Sequence, residues 1–362
     1  MKCKRSIAKA KATGFTSVTF IPAYAFSVGI GKNNLEASLK SGELTKCLDL
    51  AWEAGLDIVY QPHLDAPCTL NGTSECDWRA GFDMDPLKDN YKDKVLGEFN
   101  RWVFAHKEEL KEGSRQVDLV LSAELEKSTT TYPGKWRQMV SNLKDLYLKE
   151  GTKNIRIGMN PNWYPKNDES LGSRVTCQQF RLLVQDLDFI APSFYGDWSK
   201  AVGKDGSPRG RTQVEENKKR VQGFLSRTAP YKNCHVPEMS AKPFSVGEFG
   251  VGCNPSSAEG DCEVYAGERS AFRRTRKAIY QNLLDWAQHT PSGPPPLSIN
   301  LWTTGVFDPF GIDMPNNREI VSEPDLADML RGYSSKRCKD IVFPPDPTPV
   351  HGKPSRLTEH LK

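Results

Sequence analysis

The sequence lacks an apolar run near the roughly 20 residues that a membrane-spanning helix requires. It also lacks a basic tract, because 49 lysines and arginines are mixed along the chain with 45 aspartates and glutamates. With 38% hydrophobic and 26% charged residues, the composition is typical of a globular protein that folds in water. Neither a membrane nor a nucleic acid is therefore expected as a partner.

Several sequence signatures of common enzyme classes are missing. No glycine-rich phosphate loop follows the early predicted strands, which argues against a dinucleotide-binding fold. Ser122 and Ser193 stand outside any GxSxG elbow, so a serine hydrolase is a weak hypothesis. The N-terminus, MKCKRSIAKAKATG, has no apolar segment of the kind found in signal peptides.

Cysteine, in contrast, is plentiful, with nine residues in the chain. Cys68 with Cys76 and Cys253 with Cys262 are close enough in sequence for each pair to staple one loop. Neither pair forms a CxxC motif, so disulfides are favoured over structural zinc, and reduced thiols are the alternative. Disulfides predict an oxidising, extracellular or otherwise extracytoplasmic location. The odd number leaves at least one cysteine unpaired or in an intermolecular bond.

Short apolar runs rich in β-branched residues alternate with amphipathic stretches along the chain. The runs are at 16–21, 57–61, 117–122, 154–158, 187–191, 244–247 and 297–301, and the predicted helices are at 44–54, 136–149, 177–186 and 269–288. This alternation predicts parallel βα units whose strands are covered on both faces. A (β/α)8 TIM barrel with long loops explains it better than an open sheet. Seven strands are recognised where a (β/α)8 barrel has eight. The first strand is therefore expected to be missing or truncated in this chain.

One catalytic barrel is expected to occupy residues 1–333. Extra loops are predicted at about 66–90, 200–243 and 252–266. Residues 334–362, which include FPPDPTP and HGKPS, are predicted to form a proline-rich tail that is extended on the surface or disordered.

Polar and aromatic residues follow each predicted strand, where the active site of a barrel is built. Counted as barrel strands 3 to 8, the ends carry QPHLD (61–65), SAELE (122–126), NPNWY (160–164), PSFYGDW (192–198), EFG (248–250) and WTT (302–304). Sugar rings lie on aromatic side chains and their hydroxyls bind amides, carboxylates and imidazoles. Carbohydrate is therefore the expected ligand.

Two glutamates among these residues suit glycosidic bond cleavage. One carboxylic acid must protonate the leaving oxygen while another carboxylate attacks or activates water, and Glu124 and Glu248 fit the two roles. For a single glutamate, a surface salt bridge would be the simpler explanation. The pairing at two strand ends favours catalysis.

His63 and Asp65 leave a metal site open as an alternative, because an HxD pair beside glutamates could hold a divalent ion. The chain has six histidines, and His63 alone stands at a predicted strand end. A hydrogen bond from His63 to the sugar or to a catalytic carboxylate is favoured over metal ligation. No metal or cofactor is therefore expected.

These strand-end segments resemble clan A glycoside hydrolases, and most closely family 113, the barrel β-mannanases. The likeness covers roughly residues 10 to 315 and is carried by VYQPHLDAP, LVLSAELEKSTTTYPGKWRQMVSNLKDLY, LDFIAPSFYGDW, PFSVGEFGVG and INLWTTGVFDP. It implies a retaining double displacement with Glu124 as acid/base and Glu248 as nucleophile. Glu126 competes for the acid/base role if the strand continues past Glu124, because the two would share a face.

The resemblance also implies roles for residues that bind substrate. Tyr195 would hydrogen-bond the nucleophile and Trp302 would form the floor under the scissile sugar. The cleft would be lined by His63, Asp65, Asn162 and Trp163. Asp197, in the cluster after the sixth strand, is a further candidate for substrate binding. Two departures from the family pattern are the missing first strand and the segment MNPNWYP.

The sequence thus predicts a monomeric, retaining glycoside hydrolase that cleaves a β-linked polysaccharide or oligosaccharide, similar to an endo-β-mannanase. A metal-dependent hydrolase using His63 and Asp65, or an inactive carbohydrate-binding barrel, are the alternatives.

Overall fold

The computed structural model of the chain describes residues 2–27, 33–37, 39–65, 79–111, 115–161, 174–195, 236, 238, 242–250, 280–281, 283–284, 287 and 296–301. The strands of this part are β1 (Ser17–Phe20), β2 (Ala23–Ser27), β3 (Asn34–Ala37), β4 (Asp57–Tyr60), β5 (His63–Asp65), β6 (Val117–Val120), β7 (Ile155–Met159), β8 (Phe189–Ile190), β9 (Ser193–Tyr195), β10 (Val246–Gly250) and β11 (Ile299–Leu301). The helices are α1 (Lys2–Thr13), α2 (Glu43–Glu53), α3 (Tyr91–Lys94), α4 (Gly97–Ala105), α5 (Lys107–Lys111), α6 (Glu126–Thr131), α7 (Pro133–Glu150) and α8 (Arg174–Asp186), with a 3-10 turn at Arg79–Gly81.

The seven predicted strands are all present and follow one another in parallel. Five of them form a sheet in the order β1-β4-β6-β7-β8. A parallel bridge between Ile190 and Phe244 leads from β8 to the segment before β10, which pairs with β11. Within the described residues, β1 and β11 are the two ends of this run. The missing first strand of the barrel was expected between these two ends.

Proline residues interrupt three of these strands at the same level. Pro22, Pro62 and Pro192 separate β1 from β2, β4 from β5 and β8 from β9. Because proline has no N–H to donate, the hydrogen-bond pattern between neighbouring strands must change at these positions. The proline carbonyls still accept hydrogen bonds. Pro22 accepts one from the backbone N–H of His63 over 3.0 Å, and Pro192 accepts one from the backbone N–H of Gly247 over 2.9 Å. The carboxyl-terminal strand segments are thereby held side by side.

Both faces of the central strands β4 and β6 are buried, which explains their near-continuous apolar character. Ile58 belongs to the large core cluster shared with the helices, whereas its neighbour Val59 belongs to a separate cluster with Val120, Phe189 and Ala191. Side chains alternate along a strand, so the second cluster lies on the opposite face from the helices. A Cβ on Gly158 would lie 2.5 Å from the Phe189 ring, so glycine is required there.

The helices cover the outer face of the sheet through apolar positions spaced three and four residues apart. In α7 the buried residues include Trp136, Met139, Val140, Leu143 and Tyr147. This helix starts with Pro133 and stops at Gly151, which has a φ of 76°. The predictions of helices at 44–54, 136–149 and 177–186 are confirmed, the first with a shift of one residue and the other two with slightly wider bounds. Of 269–288, the described residues 280, 281, 283, 284 and 287 are helical.

Disulfides are present, as predicted, but the pair that the structure describes is a different one. Cys3 in α1 is bonded to Cys47 in α2. Cys177 in α8 is also disulfide-bonded. The predicted pairs of Cys68 with Cys76 and of Cys253 with Cys262 lie outside the described residues. So do the tail at 334–362, the loop at 252–266 and most of the loop at 200–243.

Candidate active site

Glu124 and Glu248 reach the same site from strands of two different sheets. Glu248 lies in the middle of β10, and Glu124 follows β6. Each is only 3% exposed. Glu124 has a φ of 55°, a left-handed conformation that is unusual for a residue with a Cβ. Its backbone N–H donates to the carbonyl of Asn160 over 2.8 Å, which anchors this bend to the neighbouring strand.

Glu248 accepts two hydrogen bonds on the same oxygen. His63 Nε2 lies 2.7 Å from Oε1, and Gln61 Nε2 donates to that atom as well. Both donors are buried beside the carboxylate. These two hydrogen bonds hold the Glu248 side chain in a fixed orientation.

The tautomer of His63 follows from its second neighbour. The guanidinium of Arg79 donates from Nη1 to Nδ1 of His63. Arginine has no acceptor and stays charged, so Nδ1 must be unprotonated and Nε2 must carry the hydrogen. Burial, and then the charge of Arg79, lower the pKa of His63. The imidazole is therefore neutral and donates to Glu248.

Arg79 connects the two glutamates through its other contacts. Its Nη2 lies 2.9 Å from Asp65 Oδ1, and its Nη1 lies 3.9 Å from Glu124 Oε2. Arg79 is 7% exposed, so these pairs are shielded from water. Asp65 neutralises the guanidinium, because a buried charge without a counter-ion is costly.

Glu124 is a weak acid in this environment. Burial, followed by the negative charge of Glu248, raises the pKa of Glu124 to about 8. Arg79 and a hydrogen bond with Ser193 act in the opposite direction, and Glu126 adds to the rise. The carboxyl of Glu124 is consequently protonated at neutral pH and can donate a proton.

A second layer of buried groups supports the two glutamates. Asn160 Oδ1 accepts from Ser193 N at 2.7 Å and from Ser193 Oγ at 3.0 Å. Ser193 in turn is paired with Glu248 in the parallel register of β9 and β10. A Cβ on Gly247 would lie 2.0 Å from the carbonyl oxygen of Ala191. Glycine at 247 thus allows β10 to approach the segment between β8 and β9 closely beside the site.

The structure brings together four of the residues that the sequence singled out: Glu124, Glu248, His63 and Asp65. Tyr195 is in β9, where its backbone pairs with Gly250, but its side chain lies outside the described residues. The remaining predicted cleft residues, Asn162, Trp163, Asp197 and Trp302, also lie outside them.

The reasoning that made Glu126 a rival acid/base is wrong. It required the strand to continue past Glu124, but β6 ends at Val120 and Glu124 takes a left-handed conformation. Glu126 is instead the first residue of α6. It therefore does not share a strand face with Glu124.

The contacts of His63 and Asp65 do not suit a metal ion. Both side chains face the cationic guanidinium of Arg79, and the other nitrogen of His63 is bonded to Glu248. A divalent cation at this point would be repelled by Arg79 and would have to displace it. Among the described residues no group of three or more histidine, cysteine and acidic side chains forms a metal site.

Sequence reasoning missed four residues of the site: Arg79, Gln61, Asn160 and Ser193. Gln61, Asn160 and Ser193 belong to the polar clusters at the strand ends. Their position in these clusters was the sequence feature that could have identified them as site residues. Arg79 lies in a 3-10 turn inside the predicted loop at about 66–90, which also contains Cys68 and Cys76. No spacing rule marks such an arginine as part of a site.

Comparison with known proteins places this geometry on a known fold. No family model and no curated protein sequence matches the chain. Among solved structures it is similar to a complex of a glycoside hydrolase family 113 β-1,4-mannanase, with a TM-score of 0.51, 15% identity and 93% of each chain covered. It is also similar to a glycoside hydrolase family 5 mannosidase from Rhizomucor miehei, with a TM-score of 0.52, 12% identity and coverage of 93% of this chain and 87% of the other. The chain therefore has the (β/α)8 TIM-barrel fold of these glycoside hydrolases, as its sequence predicted.

Proposed function

We propose that the chain is a retaining glycoside hydrolase in which Glu248 is the nucleophile and Glu124 is the acid/base. The observation that carries this proposal is the unequal environment of the two carboxyls. Glu124 has a raised pKa of about 8, while Glu248 accepts hydrogen bonds from His63 and Gln61. A pair of carboxyl groups whose environments differ in this way supports one acid and one nucleophile.

In the first half-reaction, an oxygen of the Glu248 carboxylate forms a bond to the anomeric carbon. The glycosidic C–O bond breaks and its electron pair goes to the leaving oxygen, which takes the proton of Glu124. The products are a glycosyl ester on Glu248 and a free sugar hydroxyl. Glu124 is left as a carboxylate.

In the second half-reaction, water attacks the anomeric carbon and gives a proton to the Glu124 carboxylate. The ester bond to Glu248 breaks and its electron pair returns to the carboxylate. Two displacements at one carbon retain its configuration. For this sequence of steps we expect the two carboxyl groups to be about 5 to 5.5 Å apart.

A β-linked mannan or a related oligosaccharide is the proposed substrate. Two solved structures that share the fold are named a β-1,4-mannanase and a mannosidase. The aromatic and amide residues predicted at the strand ends, among them Trp163 and Trp302, suit the apolar faces and hydroxyls of sugars. The Cys3–Cys47 disulfide supports an extracytoplasmic location, because such bonds persist in oxidising compartments.

The test is reducing-sugar release from mannan, glucomannan, xylan, β-glucan and chitosan. Glu124→Gln and Glu248→Gln are compared with Glu108→Gln, a control on α5 whose carboxylate is exposed and paired with Lys111. We expect Glu108→Gln to behave as wild type, Glu124→Gln to lose about 10²- to 10⁴-fold in rate, and Glu248→Gln to be inactive. Full activity in either site variant would contradict the assignment.

Rescue by azide separates the two roles. With an activated aryl glycoside, azide should attack the intermediate of Glu124→Ala and give a product of retained configuration. In Glu248→Ala it should take the place of the nucleophile and give the inverted glycosyl azide. An inverted azide from Glu124→Ala and a retained azide from Glu248→Ala would contradict the proposal. Loss of wild-type activity on addition of a metal chelator would contradict it as well. A folded wild-type chain that binds glycans but cleaves none would support a binding protein instead.

A further inference from the structure

We propose that Arg79 is a positioning residue that orients His63 toward Glu248 and supplies the cation beside Glu124 for the second half-reaction. The inference rests on the proposed function and extends it to a residue outside the two predicted glutamates. Arg79 lies between these groups and contacts His63, Asp65 and Glu124.

The first part of the role concerns the hydrogen on His63. The Glu248 oxygen 2.7 Å from Nε2 already favours a hydrogen on that nitrogen, because a lone pair there would repel the carboxylate. Without a donor at Nδ1, the imidazole could bind a second proton there and become a cation. Because Arg79 donates to Nδ1, that nitrogen stays bare and His63 remains a neutral donor to Glu248.

The second part concerns the charge on Glu124. This carboxyl must be protonated in the first half-reaction and ionised in the second. Once Glu248 carries the sugar as an ester, its negative charge is gone, and Arg79 Nη1 at 3.9 Å becomes the main charge facing Glu124 Oε2. A cation there stabilises the carboxylate that accepts the proton of water.

Among the residues that the structure describes, the other charged or titratable neighbours of Glu124 and His63 do not replace this cation. Glu124 faces Glu248 from β10, Ser193 from β9 and Glu126 from α6. His63 faces Glu248, Asp65 and Arg79. Of these groups Arg79 alone is positive, since the buried His63 is neutral. Asp65 holds the guanidinium in place over 2.9 Å.

The first experiment does not depend on turnover. Nitrogen NMR of ¹⁵N-labelled protein reports which histidine nitrogen carries hydrogen, and His63→Gln identifies the His63 signals. We expect wild type to show a protonated Nε2 and a bare Nδ1 at neutral pH. In Arg79→Met, which keeps an aliphatic chain but no donor, we expect Nδ1 to become protonated. An unchanged His63 in Arg79→Met would overturn the inference even if the enzyme is a glycosidase.

The second experiment measures both half-reactions with a dinitrophenyl glycoside, whose leaving group needs no proton. In Arg79→Met we expect a burst of dinitrophenol and then a kcat about 100-fold below wild type, because the ester on Glu248 accumulates. On an unactivated β-glycan, whose cleavage does need the acid, we also expect the alkaline limb of kcat/KM to move up by about one pH unit in Arg79→Met. Arg79→Lys keeps the charge, so its limb should stay near that of wild type. Equal losses in both variants with an unmoved limb would overturn the charge role.

Two controls separate this role from a general loss of folding. Arg156→Met removes an arginine that binds Asp118 at 2.7 and 2.8 Å at the opposite end of the strands. It should lower stability without changing the His63 signals or the pH limb. If Arg79→Met unfolds because Asp65 is left unpaired, the double variant with Asp65→Asn removes the unpaired charge. If the wild-type chain cleaves no glycan but the His63 signals change in Arg79→Met as expected, the proposed function is contradicted. The inference about the proton on His63 is then still supported.

Discussion

The imidazole Nε2 of His63 lies 2.7 Å from Oε1 of Glu248, and it carries the hydrogen because Nδ1 accepts from Arg79. A chain of three side chains therefore determines how the β10 carboxylate is held. Glu124, on the other side of Arg79, has a raised pKa. The proposed division of labour between the glutamates follows from these contacts.

The pH dependence of activity should have an alkaline limb set by Glu124. The group must be protonated to act as an acid, and its pKa is raised to about 8 in the free protein. We expect kcat/KM on an unactivated β-glycan to fall as the pH passes about 8. Measurement from pH 5 to 10 checks this, with a dinitrophenyl glycoside as the control because its cleavage needs no acid. A limb near pH 5 on the glycan would contradict the assignment.

The stability of the protein should depend on pH through the same residue. The pKa of Glu124 rises from 4.5 to about 8 on folding, so its contribution is fully present below about pH 4.5 and is lost as pH rises through 8. Glu124→Gln has no charge to bury. We expect the variant to gain stability relative to wild type from pH 4.5 to 8, as measured by urea unfolding. A difference that stays constant, as expected for the control Glu108→Gln, would argue against the raised pKa.

Gly247→Ala should damage both stability and activity. The new Cβ would lie 2.0 Å from the backbone oxygen of Ala191, which cannot move without disturbing β10 and Glu248. We expect a loss of about 3 kcal/mol or more in the free energy of unfolding. Gly97→Ala is the matched control, since its nearest contact would be the end of the Arg101 side chain at 3.7 Å. Thermal melts of the two variants that coincide would refute the argument.

Removal of the Cys3–Cys47 disulfide should lower stability without changing the chemistry. The bond closes a segment of 44 residues, so its loss should cost about 2–4 kcal/mol in the unfolding free energy. The double variant Cys3→Ser with Cys47→Ser is compared with wild type by denaturant unfolding and by its pH–rate profile. A shift in the pH profile would show that α1 and α2 influence the site.

The described parts of the fold were predictable because they depend on local patterns. Short β-branched runs and amphipathic stretches marked the seven parallel strands and the helices at α2, α7 and α8, since burial of both strand faces requires nearly continuous apolar residues. The rule that barrel sites stand at strand ends selected Glu124, Glu248, His63 and Asp65. The helix at Glu126 was missed because a single left-handed residue at Glu124 turned the chain.

The sequence by itself determined the class of fold and the presence of disulfides, and it selected Glu124 and Glu248 as candidates, because each of these depends on residue type and on periodicity along the chain. Tertiary structure alone decided that Cys3 pairs with Cys47 and that Arg79 lies between His63, Asp65 and Glu124. It also decided that Glu124 is the weak acid of the pair. Pairing, tautomer and pKa depend on distances and burial among residues far apart in sequence, and these exist only after the chain has folded.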